Sequence, residues 1–155
     1  RISEDTFKYI SSLLGENCGA LWQSGNVVSK EVQEIPYWRN IVRGFRVLND
    51  KELKEFGSEY KSGQFFTTLT LEPTAYIAYA TKKFISRGGN IIQKKIEKIS
   101  DIAEDYDIII NCTGLGSRQL LSDNKVSPIR GQVIRVRAPS VKHFFIGDEF
   151  YCLLK

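Results

Sequence analysis

Apolar and polar positions change their period several times along this chain, and each change predicts an element. Phe7, Ile10 and Leu14 share one helical face, with Ser3 placed to cap and Glu4 and Asp5 in the first turn. A helix over 3–14 follows, with Gly15 as its stop. Residues 19–28 predict an extended segment carrying turn chemistry at Ser24-Gly25-Asn26. Residues 29–40 predict a loop, because Pro36 has no N–H for a ladder and turns Ile35 away from helix. Phe45 and Val47 predict a strand, and Asn49 or Asp50 then caps a short helix through Phe56. The clearest alternation lies over 64–72. Phe65, Thr67, Leu69 and Leu71 take one face; Phe66, Thr68, Thr70 and Glu72 take the other. Pro73 then opens a helix whose Tyr76, Ile77, Ala80 and Phe84 recur at helical spacing, and Gly88-Gly89 ends it.

Two further strands are predicted, Asn90 to Ile96 and Asp107 to Asn111. The core of the second, Ile108-Ile109-Ile110, is apolar on both faces. Such a strand belongs in the middle of a sheet covered by helices. Gln132 to Ala138 and Lys142 to Ile146 predict a hairpin about Pro139-Ser140. Ile134, Val136 and Ala138 would face inward there, and Arg135 and Arg137 outward. The order of elements predicts a mixed α/β (α+β) fold. No repeat, low-complexity tract or clear linker interrupts it.

Composition narrows the classes. The chain has 155 residues, 42% hydrophobic and 26% charged, which excludes wholesale disorder. No apolar run approaches the roughly 20 residues needed to span a bilayer, so no membrane partner is expected. The net charge is +4. It is spread too thinly for a nucleic-acid footprint, so no nucleic-acid partner is expected either. Cys18, Cys112 and Cys152 form no CxxC pair and no disulfide framework, as suits a reducing compartment. One histidine with such scattered cysteines cannot build a zinc site. The chain starts at Arg1 and contains no Met. The expectation is a segment of a longer reading frame.

Candidate chemistry concentrates in Asn111-Cys112-Thr113-Gly114-Leu115-Gly116-Ser117-Arg118. This stretch leaves the most apolar strand and opens a predicted helix over 117–121. Ligands of such sheets sit beyond the carboxyl ends of strands. Glycine admits a ligand to the main chain, and a helix start offers free N–H groups to an anion. The turn could face a nucleotide cofactor or be a plain strand-to-helix turn, and spacing alone does not choose. Cys112, next to a buried strand, reads as an inert small apolar residue. His143 reads as structural, with no evident carboxylate partner. Arg130 could bind an anion or be solvated. Tyr151 could enter a pocket or lie exposed. No Ser/His/Asp set, HExxH or GxxxxGK[ST] is present.

Several collinear stretches resemble the D-amino-acid oxidase family of flavoenzymes. They are residues 107–120 (Asp-Ile-Ile-Ile-Asn-Cys-Thr-Gly-Leu-Gly-Ser-Arg-Gln-Leu), Pro128-Ile-Arg-Gly-Gln-Val-Ile-Arg-Val136 with Ala138-Pro139, and Lys142-His143-Phe144. Upstream, Ile35-Pro-Tyr-Trp38, Val42-Arg-Gly-Phe45, Glu52-Leu53 and Gly63-Gln-Phe-Phe-Thr-Thr-Leu69 match in the same order. Gly-Leu-Gly-Ser-Arg-Gln-Leu is nearest to the D-aspartate oxidase branch. The resemblance implies FAD as cofactor. It implies oxidation of D-amino acids, D-aspartate or D-glutamate above all, to 2-oxo acids, ammonia and hydrogen peroxide. Oxygen and the amino acid are the implied partners, a homo-oligomer is possible, and the peroxisome is the implied location.

The resemblance also implies an FAD-binding Rossmann-like domain, here about 88–121, joined to a mixed-sheet substrate domain, here about 35–72 and 128–155. Lys95, Ile96, Thr113 and Gly114 fall on its middle FAD contacts, and Tyr151 falls near the substrate lid. No catalytic residue and no metal ligand is carried over. The family's GxGxxG turn and its carboxylate-clamping arginine segment are not in the sequence, and no peroxisomal tripeptide ends it. Acidic-substrate members carry an arginine soon after His-Phe, where this chain has Phe145, Ile146 and Gly147. This chain alone is therefore expected to be inactive. A non-catalytic interaction module of the same fold is the alternative.

Overall fold

Strand β1 (Ala20–Ser29) runs antiparallel to β3 (Ser62–Leu71), in register from Ala20 opposite Leu71 to Ser29 opposite Ser62. This computed structural model describes residues 2–134, 136–149 and 151–152. The segment up to Gly89 joins the segment from Arg137 onward in one unit, and Asn90–Val136 forms a second.

In the first unit, β2 (Arg43–Val47) lies outside β3, with its register shifting between Arg43 and Arg46. On the other side of β1 lies β4 (Phe144–Ile146), parallel to it, and then β5 (Tyr151–Cys152). The order is β2-β3-β1-β4-β5. The mixed α/β class is as the sequence predicts.

Helices close the ends of this sheet. α1 (Ile2–Ser12) sets Phe7 against Trp22 at 5.8 Å. α2 (Asp50–Phe56) starts from a capping box at Asn49. Asn49 Oδ1 accepts from the N–H groups of Lys51 and Glu52, and the Glu52 carboxylate accepts from the Asn49 N–H. That fixed start seats Leu53 against Val28 and Leu48, with Phe56, Tyr60, Phe65 and Phe145 around them. α3 (Pro73–Ser86) begins at Pro73, where the missing N–H costs nothing, and its Tyr76 hydroxyl meets Tyr9 at 3.2 Å. Trp38, in a 3-10 turn over Tyr37–Asn40, packs on Phe45 and Phe66, and Phe66 packs on Phe144.

Several expectations change. Ser24-Gly25-Asn26 is not a turn, because β1 runs straight through it. The main chain and ring of Phe144 fill the space that a Cβ on Gly25 would occupy. That glycine answers a close approach between strands rather than a reversal. The predicted hairpin over 132–146 is also absent. Residues 132–134 and 136–138 form no strand, and Arg135 lies outside the described residues. Phe144–Ile146 takes β1 and β5 as neighbours instead.

In the second unit, 90–96 and 107–111 carry no strand, and α4 is four residues, Ser117–Leu120. Ile108 and Ile110 are 80% and 81% exposed, against the expectation of a sheet centre. A strand persists only where neighbours accept its N–H and C=O groups. Among the described residues, no strand pairs with this one.

Replacing Gly25 by Ala should force β4 off β1. Urea unfolding should show a loss of about 1–3 kcal/mol, the cost of overpacking; an unchanged midpoint would contradict the close approach. A second expectation concerns acid. The hydrogen bond from the Asn49 N–H, and then the Arg46 guanidinium, hold the Glu52 carboxyl below its ordinary range despite partial desolvation. The stability it contributes is complete above that range and is lost as pH falls through the lowered value. Glu52→Gln should flatten the acid limb of a stability–pH curve, and an unaltered limb would remove Glu52 from the cap.

Candidate functional site

The turn after residue 110 is held by a closed ring of three side chains. Asn111 Nδ2–H donates to Ser117 Oγ at 3.1 Å. Thr113 Oγ1–H donates to Asn111 Oδ1 at 2.7 Å. With its hydrogen spent there, Thr113 Oγ1 accepts from the Ser117 hydroxyl at 2.8 Å. The Thr113 N–H adds a bond to Asn111 Oδ1 at 3.2 Å. Hydrogen bonds linked head to tail strengthen one another. Thr113 and Ser117 lie four residues apart, so the 3-10 turn Gly114–Gly116 between them brings both hydroxyls to Asn111.

This ring changes what the turn offers. The Thr113 hydroxyl is engaged in shaping the loop. The outward chemistry is main chain, since the first bond of the 3-10 turn runs from the Gly116 N–H to the Thr113 carbonyl. The N–H groups of Gly114 and Leu115 precede that bond. Gly114 takes φ 53°, and a Cβ there would meet nothing within 4 Å. The glycine therefore leaves both a left-handed turn and open space. Helix α4, at one turn, is too short for the dipole that the sequence suggests. The fit to a nucleotide cofactor rests on the free backbone donors and the open glycine face.

The other sequence-predicted positions are more scattered. Lys95 pairs with Glu97 at 3.1 Å, and both are exposed. Ile96 is half-buried, while its neighbours from 91 to 98 are exposed. Neither residue stands in a strand. Thr113 and Gly114 belong to one turn, whereas Lys95 and Ile96 belong to a separate irregular segment. Tyr151 lies in β5, in the first unit, and is 70% exposed. Asn111 and Ser117 lie in the stretch that the sequence singles out, but sequence reasoning gives them no role of their own. Their Asn-x-Thr-x-x-x-Ser spacing was the available signal.

The remaining candidates resolve by environment. His143 Nδ1–H donates to the Ser24 carbonyl at 3.3 Å, and its ring meets Phe65 edge-on. Cys112 is exposed, against the expectation of an inert buried thiol, because the segment leading to it is not in a sheet. Arg130 is exposed. No group of three His, Cys, Asp or Glu able to hold a metal occurs among the described residues. No described helix is long and apolar enough to cross a membrane. Two clefts in the first unit, about 460 Å³ beside Tyr9 and Phe84 and about 400 Å³ beside Leu53 and Tyr60, contain none of the sequence-predicted site residues.

Known proteins supply the context for this geometry. The family described as FAD dependent oxidoreductase matches residues 1–152. D-aspartate oxidase of Homo sapiens is 44% identical over 116 residues, covering 75% of this chain and 34% of that protein. D-amino-acid oxidase of Rubrobacter xylanophilus is 32% identical over 114 residues, or 74% of this chain and 34% of that protein. D-aspartate oxidase 2 of Caenorhabditis briggsae is 36% identical over 129 residues, or 81% and 39%. The chain thus spans about a third of the length of the curated relatives it matches.

Exposure orders the thiols. Cys112 should react with iodoacetamide in the folded chain, and Cys18, at 1% exposure, only after unfolding. Peptide mass mapping reads both, and equal labelling of the two would contradict the assigned environments.

Proposed function

The chain belongs to the FAD dependent oxidoreductase family, and from that premise we propose that the intact protein oxidises D-amino acids. D-aspartate and D-glutamate are its preferred substrates. The products are the 2-oxo acid and ammonia, with oxygen reduced to hydrogen peroxide. The observation that carries this reading is the family match across residues 1–152. Two of the similar proteins named above are D-aspartate oxidases, which supports the acidic preference.

Bound FAD supplies the two-electron oxidation. The residues of this chain hold and orient. Gly114, with open space at its missing Cβ, lets the cofactor reach the main chain. Thr113 keeps that main chain in place through Asn111 and Ser117. Ile96 adds apolar surface and Lys95 adds charge, restrained in part by Glu97. Tyr151, exposed in β5, is the residue assigned to the substrate by the family resemblance. The peroxisome is the location that the family resemblance favours. The 155 residues include no GxGxxG cradle for the pyrophosphate. Turnover therefore depends on a longer polypeptide.

Peroxide release tests this reading. A polypeptide containing this chain at the length of its relatives should release peroxide with FAD and D-aspartate, less with D-alanine. The 155-residue chain alone should release none. Thr113→Val, which opens the hydroxyl ring, should weaken FAD binding about tenfold, the worth of one or two hydrogen bonds. Thr113→Ser should restore most of it. Absence of flavin-dependent peroxide with every D-amino acid would overturn the assignment.

A further inference from the structure

One polar residue from each of four neighbouring chain segments falls in a single row across the sheet. Arg43 of β2 stands opposite Thr67 of β3, and Thr67 stands opposite Ser24 of β1. Gly25 aligns with Phe144 of β4, so His143 comes beside Ser24. Directly opposed residues share a face. The contacts agree with that placement. Ser24 Oγ and Thr67 Oγ1 are 2.8 Å apart, and His143 Nδ1–H donates to the Ser24 carbonyl. In the next row, Arg46 lies over the Phe65 ring at 5.0 Å, and the His143 ring meets the same phenylalanine at 5.8 Å.

This row, with Asn26 next to it, interrupts a face that is apolar towards both ends. On one side Phe7 packs on Trp22; on the other Leu53 packs on Val28. Between them stand two guanidinium groups, two hydroxyls and an imidazole. Glu52 is the carboxylate facing them, and it is paired with Arg46 at 2.7 Å. The Arg43 guanidinium lies 3.8 Å above the Trp22 ring and has no carboxylate partner among the described residues. Stacking holds its plane flat and leaves the N–H edge for a ligand. The hydroxyl pair spends one O–H internally and keeps the other. His143 spends its Nδ1–H on Ser24 and keeps Nε2 as an acceptor.

We propose that this row is a phosphate site, which takes the phosphate group of a small phosphorylated molecule. The Arg43 guanidinium and the remaining hydroxyl hydrogen of the Ser24–Thr67 pair donate to oxygens of that group, and His143 Nε2, left as the acceptor nitrogen, takes the P–OH hydrogen. A planar carboxylate would leave one of these three partners idle. Every residue of the row belongs to the sheet unit, so the site is independent of the cofactor reading based on Thr113 and Gly114.

Titration with sodium phosphate at fixed pH and ionic strength, followed by amide NMR of the 155-residue chain, decides the matter. Saturable shifts should gather at residues 24, 43, 67 and 143. Phenyl phosphate should reproduce them and acetate should not. Arg43→Gln should weaken binding about tenfold or more, and Arg43→Lys nearly as much, since lysine keeps the charge but loses the fork. Lys94→Gln and Thr113→Val, both in the other unit, should leave it within about twofold. Ser24→Ala removes a hydroxyl without touching the charge and serves if Arg43→Gln fails to fold. Shifts that never saturate, or persist equally in Arg43→Gln and Ser24→Ala, would overturn the site. Equal binding of acetate would overturn its assignment to phosphate.

Discussion

The pairing of β1 with β3 sets the position of nearly everything else in the sheet unit. Ten residues of each strand run in continuous register, so every side chain's face follows from its partner across the ladder. Val28 and Gly63 then meet α2, Trp22 and Leu69 lie towards α1, and Ser24 and Thr67 are left between them. A slip of one residue would turn Val28 to the opposite face and bring Val27 or Ser29 towards Leu53. The strands are far apart in sequence, which makes the register a tertiary property. Gly25 adds a second constraint, because its missing Cβ admits Phe144 and with it the whole of β4.

The unit over 90–136 is organised differently. No described residue in it is buried. Ile96, Ile99, Ile102, Ile109, Leu120 and Val126 are half-covered, while Ile108 and Ile110 face solvent. Order there comes from local polar bonds. The Asn111–Thr113–Ser117 ring needs only seven consecutive residues to close, so it forms without a sheet beneath it. A turn built this way can keep its shape although the segments leading into it are irregular.

The two candidate sites divide along the same line. Thr113 and Gly114 owe their arrangement to neighbours in sequence. Arg43, Thr67, Ser24 and His143 are brought together across 119 sequence positions by strand order alone. Charge is handled differently as well. The turn offers main-chain N–H groups and no fixed cation, whereas the sheet row presents guanidinium groups stacked on aromatic rings.

Local order was legible in the sequence wherever a residue type acts on its immediate neighbours. Asn49 or Asp50 announced the start of α2, Pro73 the start of α3, and the alternation over 64–72 a strand. The family was legible too, because collinear motifs survive without coordinates. Tertiary structure decided the rest. Ile108-Ile109-Ile110 carries the pattern of a central strand, but a pattern supplies no partner for its backbone. Ser24-Gly25-Asn26 carries turn residues, yet the ladder to β3 and the approach of Phe144 make it strand. Cys112 lost its expected burial for the same reason that the strand before it was lost. Propensity acts over a few bonds, whereas register and exposure depend on which distant segment arrives alongside.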